Sequence, residues 1–206
     1  MRTTLRYALL VFVSCLVTAL PLMAEKHAPA LLPVPTVDAA YVEKQFGPSF
    51  KLDPKFPPMV ADLEGDGRED LVLVANSPSP LMSQSAYNFR VEDPYDRYFG
   101  NGDPRITSQF DLHFDGSSRD ILIVMGWREP PGKHDSRQVS KFVLINTPFE
   151  SLNLAKLRTK KKNVQAVEAV DRSTLHALIF WDGKHWKWAA QGMAGDDTIF
   201  KMPSEK

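Results

Sequence analysis

The hydrophobic pattern of the chain predicts a series of short β-strands separated by turns. Aliphatic runs bounded by glycine, proline, asparagine or aspartate are typical of strands. Such runs occupy 59–61, 71–75, 106–114, 120–125, 139–145, 164–170, 175–181 and 184–189. Within 164–170 the valines three residues apart would also suit a helix, but the β-branched content and the turn residues at both ends favour a strand.

Two stretches depart from the strand pattern. Residues 37–46 carry apolar side chains spaced for one face of a short helix, which Gly47-Pro48 would end. Residues 81–105 are rich in turn-forming and aromatic residues and predict a long loop. A closed propeller needs at least about four blades of four strands, more than this chain supplies. We therefore expect an all-β fold of antiparallel, blade-like meanders, arranged as a partial propeller-like sheet or a sandwich, with a short N-terminal helix at most.

The final strands are expected to form a hairpin. Asp182-Gly183 suits a two-residue turn because both positions tolerate positive φ. Such a turn would pair Ile179 with Trp186 and Ala177 with Trp188. Trp181, Trp186 and Trp188 would then cluster near the hairpin, either in the core or as an exposed aromatic platform that contacts a ligand.

The N-terminus has the features of a secretory signal peptide. Arg2 and Arg6 precede an apolar stretch over 7–20, and Ala24 provides a small residue for cleavage. An uncleaved anchor is the alternative, and Cys15 lacks the lead-in that a lipoprotein requires. The predicted organisation is a signal peptide at 1–24, a proline-rich leader with a short helix at 25–58, a single β-rich domain at 59–192 and a C-terminal tail at 193–206. The predicted location is secreted or periplasmic.

Charge and cysteine content narrow the classes of partner. The chain has 206 residues, with 25 basic and 25 acidic side chains. Loss of the signal peptide removes two arginines and leaves a net charge of −2. No strong positive field remains to attract nucleic acid or an anionic membrane. The only cysteine lies in the signal peptide, so the mature chain has no disulfide.

The strongest chemical signal is an acidic loop immediately before the strand at 71–75. Its carboxylates and one backbone position alternate along the chain at Asp62, Glu64, Asp66, Arg68 and Asp70, and Gly67 permits a sharp turn. Calcium binds six to eight oxygen ligands, and alternate residues of a tight loop point inward. The loop therefore predicts a structural calcium site with four side-chain ligands and the Arg68 carbonyl. A solvated acidic turn is the alternative.

Residues 60–74, which contain this loop, resemble one unit of the FG-GAP and VCBS repeat families. The resemblance covers about 15 residues of 206 and implies a calcium-binding loop between two strands of an extracellular β-propeller-like protein. Glu64 departs from the family pattern, which has Asp or Asn at that position. A degenerate second copy begins 49 residues later, with Asp111, His113, Asp115 and Asp120; its histidine is a poor calcium ligand.

No catalytic constellation accompanies these motifs. The five histidines have no zinc-protease spacing, and no serine lies in a nucleophile elbow. The sequence predicts an exported, non-catalytic binding or scaffold protein with a structural calcium ion. A protein partner, a glycan partner and self-association all remain open. The alternatives are a carbohydrate-recognition module that uses the hairpin at 181–188 and a hydrolase with an unrecognised site.

Overall fold

Short strands dominate the secondary structure. A computed structural model describes residues 36–109, 119–128, 140–158, 163–191 and 200–201, all within a unit that spans Pro33–Lys206. The helices of the described residues are α1 (Ala39–Phe46), α2 (Gln84–Tyr87), α3 (Pro94–Tyr98) and α4 (Pro104–Thr107). The strands are β1 (Lys51–Leu52), β2 (Met59–Ala61), β3 (Asp70–Asn76), β4 (Arg90–Glu92), β5 (Arg119–Val124), β6 (Lys141–Leu144), β7 (Ser151–Arg158), β8 (Asn163–Val170), β9 (His176–Trp181), β10 (Trp186–Ala190) and β11 (Phe200–Lys201).

The strands form two sheets. The first sheet has the order β1-β3-β5-β6-β4, and β2 also pairs with β3. The second sheet has the order β10-β9-β8-β7-β11. All pairs are antiparallel except β4 with β6, which is parallel. The sheets are not closed into a barrel, so the predicted all-β fold is confirmed in its sandwich-like form.

The main core lies between the sheets because successive side chains of a strand point to opposite faces. Every second residue of β3, β5 and β9 contributes to it, as Val72, Ile123 and Ile179 illustrate. Trp186 of β10 is the largest fully buried side chain of the described residues. Phe142 packs its ring 5.9 Å from that of Trp186 and so joins the two sheets.

The other face of the first sheet is covered by α1. The Asp38 carboxylate accepts a hydrogen bond from the Tyr41 N–H and caps the helix. Val42 and Phe46 are fully buried against Leu73 and its neighbours on that face. Residues 39–52, which lie within the predicted leader, thus supply α1 and β1 to the fold.

Residues 81–105 are more regular than the sequence indicated. They contain α2, β4, α3 and the start of α4, so the expectation of one N-terminal helix at most is wrong. Asp93-Pro94 and Asp103-Pro104 begin α3 and α4, because aspartate caps the first turn and proline fits the first helical position. Ile106 lies in α4 rather than in the predicted strand at 106–114, whose residues 110–114 lie outside the described ranges. Of the helices described, none has the length and apolar character needed to cross a membrane.

The final hairpin forms with a longer turn than predicted. Trp186 pairs with Trp181, and Trp188 pairs with Ile179, a displacement of two residues from the expected register. The Asp182 carboxylate accepts hydrogen bonds from the N–H groups of Lys184 and His185, and this stabilises a four-residue turn. A shift of two residues keeps the same side chains on the same face, so the tryptophans still cluster.

Candidate metal-binding loop

The acidic loop connects β2 to β3. Ala61 and Asp70 are paired at its base, so residues 62–69 form the turn of a β-hairpin. Gly65 and Gly67 have φ values of 67° and 83°. Residues other than glycine rarely adopt this left-handed backbone conformation, so the two glycines allow the loop to be tight.

Asp62 organises the interior of the loop. One carboxylate oxygen accepts hydrogen bonds from the Gly65 N–H at 2.7 Å and the Asp66 N–H at 3.1 Å. The other oxygen accepts from the Gly67 N–H at 2.9 Å. The carboxylate therefore points into the turn, as the sequence pattern predicts for the first position.

Asp70 closes the loop from the interior of the protein. Its side chain is 1% exposed and accepts hydrogen bonds from the N–H groups of Leu63 and Gly126, each at 2.8 Å. Burial, with a smaller contribution from the charges of Glu64 and Asp66, raises the pKa of the Asp70 carboxyl to about 6, although the two hydrogen bonds lower it. Asp70 thus joins the loop to the end of β5, where Gly126 lies.

Arg68 contacts the carboxylates of the loop through its side chain, which the sequence did not indicate. Its guanidinium Nε donates to Asp66 Oδ2 at 2.6 Å, and its Nη2 lies 3.4 Å from Glu64 Oε2. Its backbone N–H donates to Asp66 Oδ1 at 2.9 Å. The side chain of Arg68 thus pairs with Glu64 and Asp66, and the ligand role of its carbonyl stays a prediction.

The chemistry of the loop suits a hard cation. Asp62, Glu64, Asp66 and Asp70 carry four negative charges against one positive charge on Arg68, a net charge of −3 for these five residues when all are ionised. Glu69, the fifth carboxylate of the loop, pairs with Arg128. Carboxylate oxygens are preferred ligands of calcium. Across the described ranges, no three His, Cys, Asp or Glu side chains converge as a metal-ligand group. Glu64 and Asp66 both contact the Arg68 guanidinium in this arrangement.

The loop has contacts that the sequence did not indicate. The Asp62 N–H donates to Gln165 Oε1 at 2.7 Å, and the Gln165 N–H donates to the Asp62 carbonyl at 3.0 Å. The Trp127 N–H donates to the Glu69 carbonyl at 2.9 Å. Gln165 is separated from Asp62 by 103 positions, and no local pattern marks it as a partner. The loop therefore contacts β8 of the second sheet as well as the end of β5.

The degenerate second loop is described only in part. Asp111, His113 and Asp115 lie outside the described residues. Asp120 lies in β5, is 2% exposed and is opposite Ala75 of β3. Its metal-binding role stays a prediction.

The tryptophan hairpin is part of the core. Trp181, Trp186 and Trp188 are 9%, 0% and 4% exposed, so in this conformation they offer no face to a sugar. Exposed aromatic side chains lie instead on and beside α3, where Tyr98 and Phe99 are 47% and 59% exposed. Both rings pack against Trp188, with centroid separations of 5.1 Å and 6.3 Å.

A buried ionic cluster beside this hairpin was also not predicted. Glu92 is 2% exposed, and its Oε2 accepts from Arg97 Nη1 and from the Trp186 N–H, each at 3.0 Å. Arg90 Nη2 lies 2.5 Å from Glu92 Oε1 and also donates to the Lys184 carbonyl at 3.0 Å. This cluster joins β4 and α3 to β10, which indicates a structural role.

The comparisons with known proteins identify no relative. No protein-family model matches the chain, and no characterised protein or solved structure is similar to it. The resemblance to the FG-GAP and VCBS repeats therefore depends on the residues of the loop alone.

Proposed function

We propose that this chain is an exported, non-catalytic binding or scaffold protein that carries a structural calcium ion in the 62–70 loop. The observation that carries the proposal is the position of the loop. It connects β2 to β3 and is hydrogen-bonded to β8 through Asp62 and to the end of β5 through Asp70. A ligand that fixes this loop would stabilise both sheets at once.

The charge of the loop supports a cation. Like charges about 4 Å apart repel by about 4 kcal/mol per pair at an effective dielectric constant near 20. Arg68 offsets part of this repulsion for Glu64 and Asp66. Asp70 has only backbone N–H partners, and its raised pKa reflects the cost of its buried charge. Bound calcium would supply the positive charge that this carboxylate lacks.

The residues of the chain would then have separate roles. Asp62 holds the turn closed through the N–H groups of Gly65, Asp66 and Gly67. Asp70 holds the base of the loop against Gly126. Glu64 and Asp66, which are partly exposed, would turn from the Arg68 side chain to the calcium ion and supply its remaining oxygen ligands. The ion would thus fix the conformation of the loop so that a partner can bind it. No chemical reaction would take place at the site.

Export is proposed from the signal-peptide pattern of residues 1–24. The secretory route fits the ligand, because extracellular calcium modules bind with dissociation constants of about 0.1–1 mM. Such weak sites fill in extracellular fluids. The partner is a protein or a glycan, or a second copy of the chain.

Thermal unfolding of the purified protein with calcium and with chelator tests the ion. At a tenfold excess of calcium over the dissociation constant, stability should rise by about 1.4 kcal/mol. Asp66→Ala should abolish the rise, because this carboxylate is exposed enough to reach an ion in the loop. Magnesium at the same concentration should give a smaller rise, since it tolerates cages of several carboxylates poorly.

Asp171→Ala is the matched control. Asp171 also accepts hydrogen bonds from backbone N–H groups in an exposed turn, those of Ser173 and Leu175, but it lies away from the acidic loop. This variant should keep the full calcium response. Identical unfolding of the unmodified protein in calcium and in chelator would refute the calcium site.

A further inference from the structure

Among the described strands, β8 has no partner along part of one edge. Its ladder with β9 covers only Val167–Val170, whereas its ladder with β7 extends over Asn163–Val170. Gln165 therefore has no partner on β9. A strand edge without a partner exposes N–H and C=O groups that must be satisfied elsewhere.

Asp62, the first residue of the loop that follows β2, fills this position. The Gln165 N–H donates to the Asp62 carbonyl at 3.0 Å, and Gln165 Oε1 accepts from the Asp62 N–H at 2.7 Å. Both backbone groups of Asp62 are thus bonded to a single residue of the second sheet. The arrangement is a one-residue bridge between the sheets.

The same residue controls the conformation of the acidic loop. The Asp62 carboxylate accepts hydrogen bonds from the N–H groups of Gly65, Asp66 and Gly67. The backbone of Asp62 is held by β8 while its side chain holds the loop. Loss of the hydrogen bonds to Gln165 would free the Asp62 backbone and so weaken the hold of its carboxylate on the loop. Loss of the bonds to the carboxylate would in turn weaken the hold of the Asp62 backbone on Gln165.

We propose that the Asp62–Gln165 bridge is a conformational coupling between the 62–70 loop and the second sheet. The loop and the 163–166 part of β8 open and close together, so any ligand that orders the loop also orders this edge of β8. The coupling is a property of the hydrogen bonds and does not require calcium.

Native-state hydrogen exchange of the full chain, measured in chelator, tests the coupling. In the unmodified protein the Gly67 and Gln165 amides should exchange with the same opening free energy and the same urea dependence, because they belong to one opening unit. Different urea dependences for the two amides would overturn the proposal without any substitution.

Substitutions test each direction. Gln165→Met removes the acceptor with little change in length, and the Gly65 and Gly67 amides should then exchange about tenfold faster relative to Ile123 in β5. Asp62→Ala should accelerate the Gln165 amide by a similar factor, because coupling is reciprocal.

Two control variants separate coupling from a general loss of stability. Gln191→Met removes a side-chain hydrogen bond to Glu168 on the second sheet but does not contact the loop. Asp171→Ala removes the carboxylate that accepts hydrogen bonds from Ser173 and Leu175 in the turn that follows β8. Both should leave the Gly67 and Gln165 amides within twofold of their original rates relative to Ile123. Equal acceleration in the bridge variants and the controls would overturn the proposal.

Discussion

Replacement of Asp70 by asparagine tests whether a buried carboxylate at the start of β3 opposes folding at neutral pH. The carboxyl is 1% exposed, and burial raises its pKa from the ordinary 3.8 to about 6. Below pH 3.8 the group is protonated in both folded and unfolded chains and has no effect. Between these two pKa values the folded chain binds more protons, so stability falls as pH rises.

The magnitude follows from the two pKa values. Each pKa unit corresponds to about 1.4 kcal/mol, so ionisation of Asp70 costs the metal-free protein about 3 kcal/mol above pH 6. Asp70→Asn removes this cost but leaves an amide N–H₂ against a backbone N–H group, a penalty of about 1–3 kcal/mol that does not depend on pH. The free energies of unfolding of the two proteins should therefore differ in their dependence on pH, and not only by a constant amount.

Urea unfolding in chelator from pH 3.5 to pH 7.5 is the assay. The free energy of unfolding of the unmodified protein, minus that of Asp70→Asn, should fall by about 3 kcal/mol over this range. Asp103→Asn is the control with the opposite sign, because hydrogen bonds from Arg105 lower the pKa of that exposed carboxyl. Parallel curves for the unmodified protein and Asp70→Asn would refute the reasoning.

Three further substitutions test the packing. Trp186→Ala should cost about 3–5 kcal/mol in urea unfolding, because the side chain is fully buried between the sheets; a loss below 1 kcal/mol would contradict this position. Glu92→Ala should cost about 3 kcal/mol, since it leaves Arg97 and the Trp186 N–H without their acceptor; Glu150→Ala, at an exposed ion pair, should have little effect on the same measurement. Asp38→Ala should cost about 1 kcal/mol by thermal unfolding through loss of the α1 cap; an unchanged midpoint would show that the cap contributes nothing.

The elements that the sequence predicted well are those with a local cause. The strands around 71–75, 120–125 and 164–170 all form, because alternating or continuous β-branched and aliphatic residues between turn residues favour the extended backbone wherever a core covers them. The helix within 37–46 forms for a similar reason, with Asp38 as its cap. The hairpin at 181–186 was correct in its position but not in its register, since the Asp182 carboxylate favours a longer turn.

Some features of the acidic loop likewise have a local cause and were predicted, whereas others were not. Its position between two strands, its tight turn at two glycines and the inward direction of Asp62 follow from the residues of the loop itself. The binding of Asp70 to Gly126 and of Asp62 to Gln165 does not, because these contacts join positions 56 and 103 residues apart. The Arg68 carbonyl stays a predicted ligand, whereas the pairing of the Arg68 side chain with Glu64 and Asp66 was not predicted.

The sequence by itself therefore determined strands such as β3, β5 and β8, the turn between β2 and β3 and which loop carries the charge, since each depends on neighbours within a few residues. It did not indicate β4 or β7. Only the tertiary structure decided that the tryptophans are buried, that Glu92 lies among arginines and that the acidic loop bridges two sheets. These outcomes depend on which strand edges meet and which faces are covered. Long-range pairing of that kind has no signature in the spacing of residues along one chain.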